Sequence, residues 1–113
     1  MDENLLIILS FIFVGALEII LGIPLMYEKV KPNGLYGFRL PKTISNKKIW
    51  YPVNKQAGKD FVISGIILTI TSLILLQINT NLDILTITTI ETLLMMILIA
   101  IIIARGLILI KKL

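Results

Sequence analysis

The sequence contains no cysteine and no histidine, and these two absences exclude several kinds of site. Without cysteine the chain can form no disulfide, no thiolate metal site and no palmitoyl anchor. Without histidine it lacks the side chain that most often shuttles protons or ligates metals. No pair of acidic residues is clearly placed together either, so we expect a protein that is not an enzyme and that needs neither a metal nor a cofactor.

Charged residues are also scarce, at 16% of 113 residues, whereas hydrophobic residues make up 57% and the mean hydropathy is +0.95. A water-soluble domain of this size could not bury so much Ile and Leu, so the composition predicts one domain, residues 1–113, embedded in a lipid bilayer. The net charge of +4 does not indicate nucleic acid. The positive residues flank apolar runs, where lipid contacts and membrane insertion explain them.

Three apolar runs predict an all-α membrane protein with three transmembrane helices, over about residues 5–26, 61–78 and 87–110. We expect the first run to be a true span and not a cleaved signal peptide, because acidic residues precede it and it is too long. Asn79, Thr80 and Asn81 separate the second and third runs, which predicts an antiparallel helical hairpin.

The basic residues predict the orientation of these spans. Eight of the eleven Lys and Arg residues lie in a segment that we call the basic segment, residues 27–60, and the others are Arg105, Lys111 and Lys112. With the N-terminus outside, all eleven lie on the inner side. We therefore expect a multi-pass protein of the cell (plasma) membrane, N-out and C-in, with the basic segment forming a structured cytoplasmic loop between the first and second spans.

Small residues predict where the spans pack closely. Gly15 and Gly22 lie on one face of the first predicted helix together with Glu18, and Gly65, Thr69 and Ser72 lie on one face of the second.

Glu18 is the charge that most needs an explanation, because it lies near the middle of the first span. An ionised carboxylate at that depth costs about 2.5 kcal/mol or more unless it is paired, hydrated or protonated. We expect it to face the bundle interior and to pair with Arg105 or Arg39. Two alternatives remain: Arg105 extends to the inner headgroups, or Glu18 is a proton or cation site. Glu91, one turn inside the outer boundary, is expected to be interfacial.

The basic segment also contains the single Trp and all three Tyr residues. Its sequence predicts a turn at residues 32–34, and then a helix capped by Thr43 or Ser45. That helix carries Trp50, Asn54 and Gly58 on one face, and the second transmembrane helix begins inside the basic segment, before residue 61.

Pro52 interrupts the pattern of this helix. It predicts either a kink near residues 48–51 or a fresh helix start with Pro52 in the first turn. A simpler alternative makes the basic segment an amphipathic interfacial stretch with Trp50 and Tyr51 at headgroup level.

The order of these residues resembles the signature of the SdpI family of small bacterial and archaeal membrane proteins. In that family an N-x-x-Y-G-[IF]-R-x-P-x-T stretch precedes a W-x-x-x-N-x-x-x-G stretch. The matching positions here are Asn33, Tyr36, Gly37, Phe38, Arg39, Pro41, Thr43, Trp50, Asn54 and Gly58. The resemblance covers roughly residues 20–80, and the third span adds no motif to it.

The resemblance implies a role in immunity. The best-known family member protects its cell from a membrane-active peptide toxin and recruits a small cytoplasmic repressor to the membrane. This chain looks like a minimal form of the family, and a homo-oligomer is compatible with its thin bundle. The alternative is a small proton- or ion-coupled transporter that uses Glu18, as short multidrug exporters use a first-helix glutamate.

Overall fold

The computed structural model describes residues 2–78 and 81–113, so Asn79 and Thr80 of the predicted break lie outside the described residues. It contains four helices: α1 (Glu3–Met26), α2 (Pro41–Ile44), α3 (Lys47–Ile78) and α4 (Ile84–Lys112). The fold is 82% helical, with no strand among the described residues. Helices α1, α3 and α4 are long and apolar enough to cross a membrane, which confirms the predicted fold class with its three spans.

Helix α3 is much longer than the predicted span 61–78, because it begins inside the basic segment at Lys47. Its cap is Asn46, whose Oδ1 accepts from Lys48 N at 2.9 Å, and not Thr43 or Ser45 as expected. Pro52 lies in the second turn of an unbroken helix, so the predicted fresh start at Pro52 is wrong. Trp50 and Val53 beside it are fully buried, and this tertiary packing holds the helix together where proline removes one hydrogen bond.

Helices α1 and α3 run antiparallel and touch backbone to backbone at two glycine crossings. A Cβ on Gly58 would lie 2.6 Å from the Gly22 carbonyl oxygen, and one on Gly15 would lie 2.9 Å from that of Gly65. Neither crossing leaves room for a larger side chain. The predicted close packing of the first two spans is therefore confirmed at Gly15, Gly22 and Gly65.

Helix α4 completes the bundle through a different apolar cluster at each end. At the end that contains both the chain's start and the α3–α4 connection, Ile8, Leu75 and Ile87 pack together. At the opposite end Ile110 packs on Ile49 and Val53. The C-terminal lysines and the basic segment thus share one end of the bundle.

Polar contacts fix the end of the bundle that contains the starts of α1 and α4. The Asn4 Nδ2 donates to the Leu82 carbonyl at 2.9 Å, which ties the start of α1 to the start of α4. Asp83 caps α4 by accepting from Thr86 N at 2.8 Å. The hydrogen bonds from Thr86 hold the pKa of the exposed Asp83 carboxyl below its usual value.

Helix α1 ends in a tight reversal that starts the basic segment. Lys29 N donates to the Pro24 carbonyl at 2.9 Å and Glu28 N to the Leu25 carbonyl at 3.1 Å, the pattern of a Schellman motif. Glu28 is left-handed, with φ of 58°, at the position that glycine usually takes. The reversal sends the chain back toward the bundle instead of out into solvent.

Candidate functional site

The residues of the predicted signature hold residues 27–46, which we call the folded loop, against the ends of the helices. Trp50 is fully buried, and its Nε1 donates to the Val30 carbonyl at 2.8 Å. Asn54, 2% exposed, accepts from Phe38 N through Oδ1 at 2.5 Å. Its Nδ2 donates to the Trp50 carbonyl at 3.1 Å. Trp50 therefore lies inside the protein, where its indole is not exposed to lipid headgroups as an interfacial anchor would be.

Asn33 and Tyr36 shape the first half of the folded loop. The Asn33 Oδ1 accepts from Leu35 N at 2.8 Å and from Tyr36 N at 2.7 Å, which closes a turn at the predicted position. The Tyr36 hydroxyl donates to the carbonyl of Leu21, a full turn inside the end of α1. The folded loop thus reaches back along α1 at the depth of the spans.

Arg39 also forms a hydrogen bond within the folded loop. Its Nη1 donates to the Gly34 carbonyl. The residue is exposed. The Arg39 bond closes the same turn that Asn33 caps.

Pro41 and Thr43 fix the second half of the folded loop. Pro41 starts the short helix α2, where the missing N–H has no cost. The buried Thr43 hydroxyl accepts from Leu40 N at 2.7 Å and lies 3.0 Å from the Phe38 carbonyl. Thr43 is therefore a link within the loop, not the cap of α3.

Two signature positions require glycine because atoms of other segments lie close to the backbone there. Gly37 has φ of 112°, and a Cβ there would meet the Asn54 Oδ1 at 2.7 Å. Gly58 forms one of the two α1–α3 crossings, where a Cβ would lie 2.5 Å from Met26 N. Both positions would clash with any larger residue.

Phe38 connects the folded loop to α4 through a contact that the sequence did not reveal. Its ring lies directly against Gly106, where a Cβ would overlap the Phe38 ring atoms, and beside the buried Ile110 cluster. Gly106 alone gives no local signal, since its partner is far away in the chain. The loop, α3 and α4 are thereby locked together at the basic end.

The lysines of the basic segment lie on the surface of this scaffold. All seven of its lysines are exposed: Lys29, Lys31, Lys42, Lys47, Lys48, Lys55 and Lys59. The signature residues build the frame from inside, and the lysines form its surface. The structure thus separates a hydrogen-bonded scaffold from the exposed lysines, which we call the basic face and which can contact anionic lipid.

The pairing expected for Glu18 is wrong. Its Oε2 accepts from the Ser64 hydroxyl of α3 at 2.9 Å, and it pairs with neither Arg105 nor Arg39. It does face α3 as expected, because its Cβ lies beside Gly65. The carboxyl group thus lacks a cationic partner among residues 2–78 and 81–113.

Arg105 pairs instead with Asp60, an acid at the end of the basic segment that we did not consider from sequence. The Nε to Oδ2 distance is 2.8 Å, and the side chains are 52% and 12% exposed. The pair joins α4 to α3 at the basic end. A half-exposed pair of this kind contributes little stability, so it chiefly sets the register of the two helices.

Glu91, which was expected to be interfacial, is fully buried within the protein. Its carboxyl oxygens lie 2.9 and 3.0 Å from the Ser72 hydroxyl of α3. The same hydroxyl lies 2.8 Å from the Leu68 carbonyl, so one proton is shared among three acceptors. Ser64 and Ser72 are eight residues apart on one face of α3 and each meets a glutamate from a different helix.

A cavity of about 540 Å³ lies between α1, α4 and the folded loop. Glu18 and Arg39 supply its charges, and apolar side chains supply most of its walls: Phe38, Leu40, Phe61, Ile99, Ile103 and Leu107. A smaller space of about 210 Å³ adjoins it and shares Glu18, Gly37 and Phe61. The larger space falls within the size range of small-molecule sites, and its walls are mostly apolar.

Comparison with known proteins identifies one family. The sequence profile described as the SdpI/YfhL protein family matches residues 29–110. The match includes nearly all of the folded loop, all of α3 and nearly all of α4, and so extends further toward the C-terminus than the resemblance seen over residues 20–80. No curated protein and no solved structure matches the chain significantly.

Proposed function

The chain belongs to the SdpI/YfhL protein family of multi-pass membrane proteins, and on that premise we propose that it is a non-catalytic immunity protein. In this proposal it resides in the plasma membrane, with the folded loop in the cytoplasm. It protects the cell from a membrane-active peptide toxin and recruits a small cytoplasmic repressor.

The observation that carries the proposal is the construction of the folded loop. The family's signature residues are used to hold one loop conformation, through Trp50, Asn54, Asn33 and Thr43. A loop that merely connects two spans needs no such frame. A frame with seven outward lysines favours recognition of an acidic protein surface, since charge complementarity selects partners and speeds their association.

Protection is tested by deleting the gene and exposing the cells to peptides secreted by their own kin. The membrane potential, followed with a voltage-sensitive dye, should collapse in the deletion strain and be restored by the wild-type chain. Equal resistance of the deletion and parent strains would contradict the proposed immunity.

The Arg39 side chain gives a sharper test within the same assay. Its planar guanidinium binds the Gly34 carbonyl with one nitrogen and leaves further donors in fixed directions, which a lysine cannot reproduce. Arg39→Lys should therefore lose most of the protection at normal membrane levels. Lys47→Arg, a matched exchange on the exposed face, should change nothing. Full activity of Arg39→Lys would show that only charge matters at position 39.

Repressor recruitment is tested separately, with a fluorescent fusion of any small repressor encoded beside the gene. The fusion should move to the membrane when toxin is added. A triple exchange of Lys42, Lys47 and Lys48 to Glu should leave it in the cytoplasm while protection by the bundle persists. Recruitment that survives this reversal of charge would exclude the basic face as the contact.

A small proton- or ion-coupled transporter is the second candidate, favoured by the position of Glu18 in a cavity without a cationic partner among the described residues. The two candidates differ in what Glu18 must do. A coupled transporter requires an ionisable group there, so Glu18→Gln should abolish its activity. An immunity protein has no such requirement and should retain protection.

A further inference from the structure

We propose that the cavity between α1, α4 and the folded loop binds a lipophilic organic cation bearing a single positive charge, with Glu18 as its counter-ion. The proposal does not rest on the immunity role, because it concerns a small ligand and the purified protein.

The first argument is the electrostatic state of Glu18. It is half-buried within the span, and its hydrogen bond comes from Ser64, a neutral hydroxyl. The ion pair in the part of the chain that the structure describes joins Arg105 and Asp60 instead. A carboxylate in this setting is stabilised strongly by a cation that enters the cavity, since water screens the attraction poorly there.

The second argument is the chemistry of the walls. Ile99, Ile103 and Leu107 of α4 face Phe61 of α3 and Leu40 of the loop around this carboxyl group. Those side chains offer no hydrogen bonds, so they suit the apolar body of a ligand and leave its charge to Glu18. The volume of about 540 Å³ lies within the range of about 300–1,000 Å³ typical of small-molecule sites.

The third argument concerns Arg39, which limits the charge of the ligand. It lines the same cavity, and its guanidinium is held at the loop turn by the Gly34 carbonyl. Glu18 lies eight residues inside the end of α1, about 12 Å along the helix. Because Arg39 supplies the other charge of this cavity, a ligand with one positive charge can pair with Glu18, whereas a second positive charge would be repelled by Arg39.

Phosphonium binding to the purified chain provides the test. The protein is placed in nanodiscs of phosphatidylcholine, and equilibrium dialysis measures how much radiolabelled tetraphenylphosphonium it binds. We expect saturable binding at one site per chain and an affinity at least tenfold weaker for Glu18→Gln. The control is Glu91→Gln, which removes the other intramembrane acid outside the cavity and should bind like the wild type.

Further measurements distinguish binding at this site from nonspecific hydrophobic partitioning and from misfolding of the variants. Triphenylphosphine oxide, a neutral analogue, should compete poorly, and Leu107→Trp should block binding by filling the cavity. Glu18→Asp keeps the charge and should retain much of the affinity, and gel filtration should show that each variant is folded. Equal binding by wild type and Glu18→Gln, equal competition by the neutral analogue, or no saturable binding would each overturn the proposal.

Discussion

Asn54 is the residue through which the folded loop and α3 depend on each other. With its single amide it accepts from Phe38 N and donates to the Trp50 carbonyl, and it is 2% exposed. Trp50 anchors the loop a second time at Val30. The two side chains lie one turn apart on α3, so a single helix face holds both halves of the loop.

Replacing Asn54 with Leu should release the loop from the bundle. The Phe38 N–H would stay buried without an acceptor, and such a group costs about 1–3 kcal/mol. We expect a lower midpoint of thermal unfolding and faster proteolysis within residues 31–40. Gln77→Leu, an exposed polar-to-apolar exchange on the same helix, is the control. Protease resistance equal to that of the wild type would show that the amide is dispensable.

The Tyr36 phenol leads to a prediction about how stability depends on pH. Burial raises the pKa of its phenol above the ordinary value of 10.0, so the folded protein holds this proton more tightly than the unfolded chain does. Its contribution to the free energy of unfolding is fully present below about pH 10 and is lost as the pH rises through the raised pKa.

Ultraviolet absorbance of tyrosinate measures this titration directly. Tyr36→Phe should remove the step at highest pH, while Tyr27→Phe, at a side chain 64% exposed, should leave that step in place. A late step that survives in Tyr36→Phe would mean that another tyrosine is the protected one.

Among the elements, the α1–α3 pair depends most on small residues. At Gly58 a Cβ would meet two backbone atoms, Met26 N at 2.5 Å and the Gly22 carbonyl oxygen at 2.6 Å. Backbone atoms of packed helices cannot move aside separately. The two helices must therefore separate as a whole if either glycine of the crossing gains a side chain.

Gly58→Ala should accordingly destabilise the protein by about 1–3 kcal/mol, the usual cost of overpacking. Gly34→Ala is the matched control, since nothing lies within 4 Å of a Cβ there. Unfolding midpoints in one detergent compare the two variants. A Gly58→Ala protein as stable as Gly34→Ala would show that the helices are not in backbone contact in the membrane.

At the scale of the whole molecule, charge divides the bundle into two unlike ends. The basic segment, Arg105 and the C-terminal lysines gather at one end, and Asp2, Glu3 and Asp83 lie at the other. The positive-inside rule then predicts that the basic end is cytoplasmic.

The absence of native cysteine makes this orientation easy to measure. Asn81→Cys should react with a membrane-impermeant maleimide in intact cells, and Ser45→Cys should react only after permeabilisation. A reporter fused after Leu113 should be active in the cytoplasm. Labelling of Ser45→Cys in intact cells would reverse the predicted topology.

The sequence predicted those features of the bundle that depend on local composition or on fixed spacing. Runs of apolar residues revealed the three spans, and spacing by seven placed Gly15 and Gly22 on the contact face. The partners of the charges were not predictable in this way. Ser64, the partner of Glu18, is one hydroxyl residue among many in the sequence. Asp60 pairs with Arg105 only because α3 and α4 lie side by side. Phe38 and Gly106 meet across most of the chain, which no local pattern reveals.

The position of the Gly106 contact also implies an order of events during synthesis. Gly22 and Gly58, and then Gly15 and Gly65, can meet as soon as residue 65 has left the ribosome, and by then every signature residue has been made. The ring of Phe38 can reach its contact only after Gly106 has been made, some forty residues later. Until α4 inserts, the nascent chain therefore carries a nearly finished loop whose Phe38 side chain lacks its cover from α4.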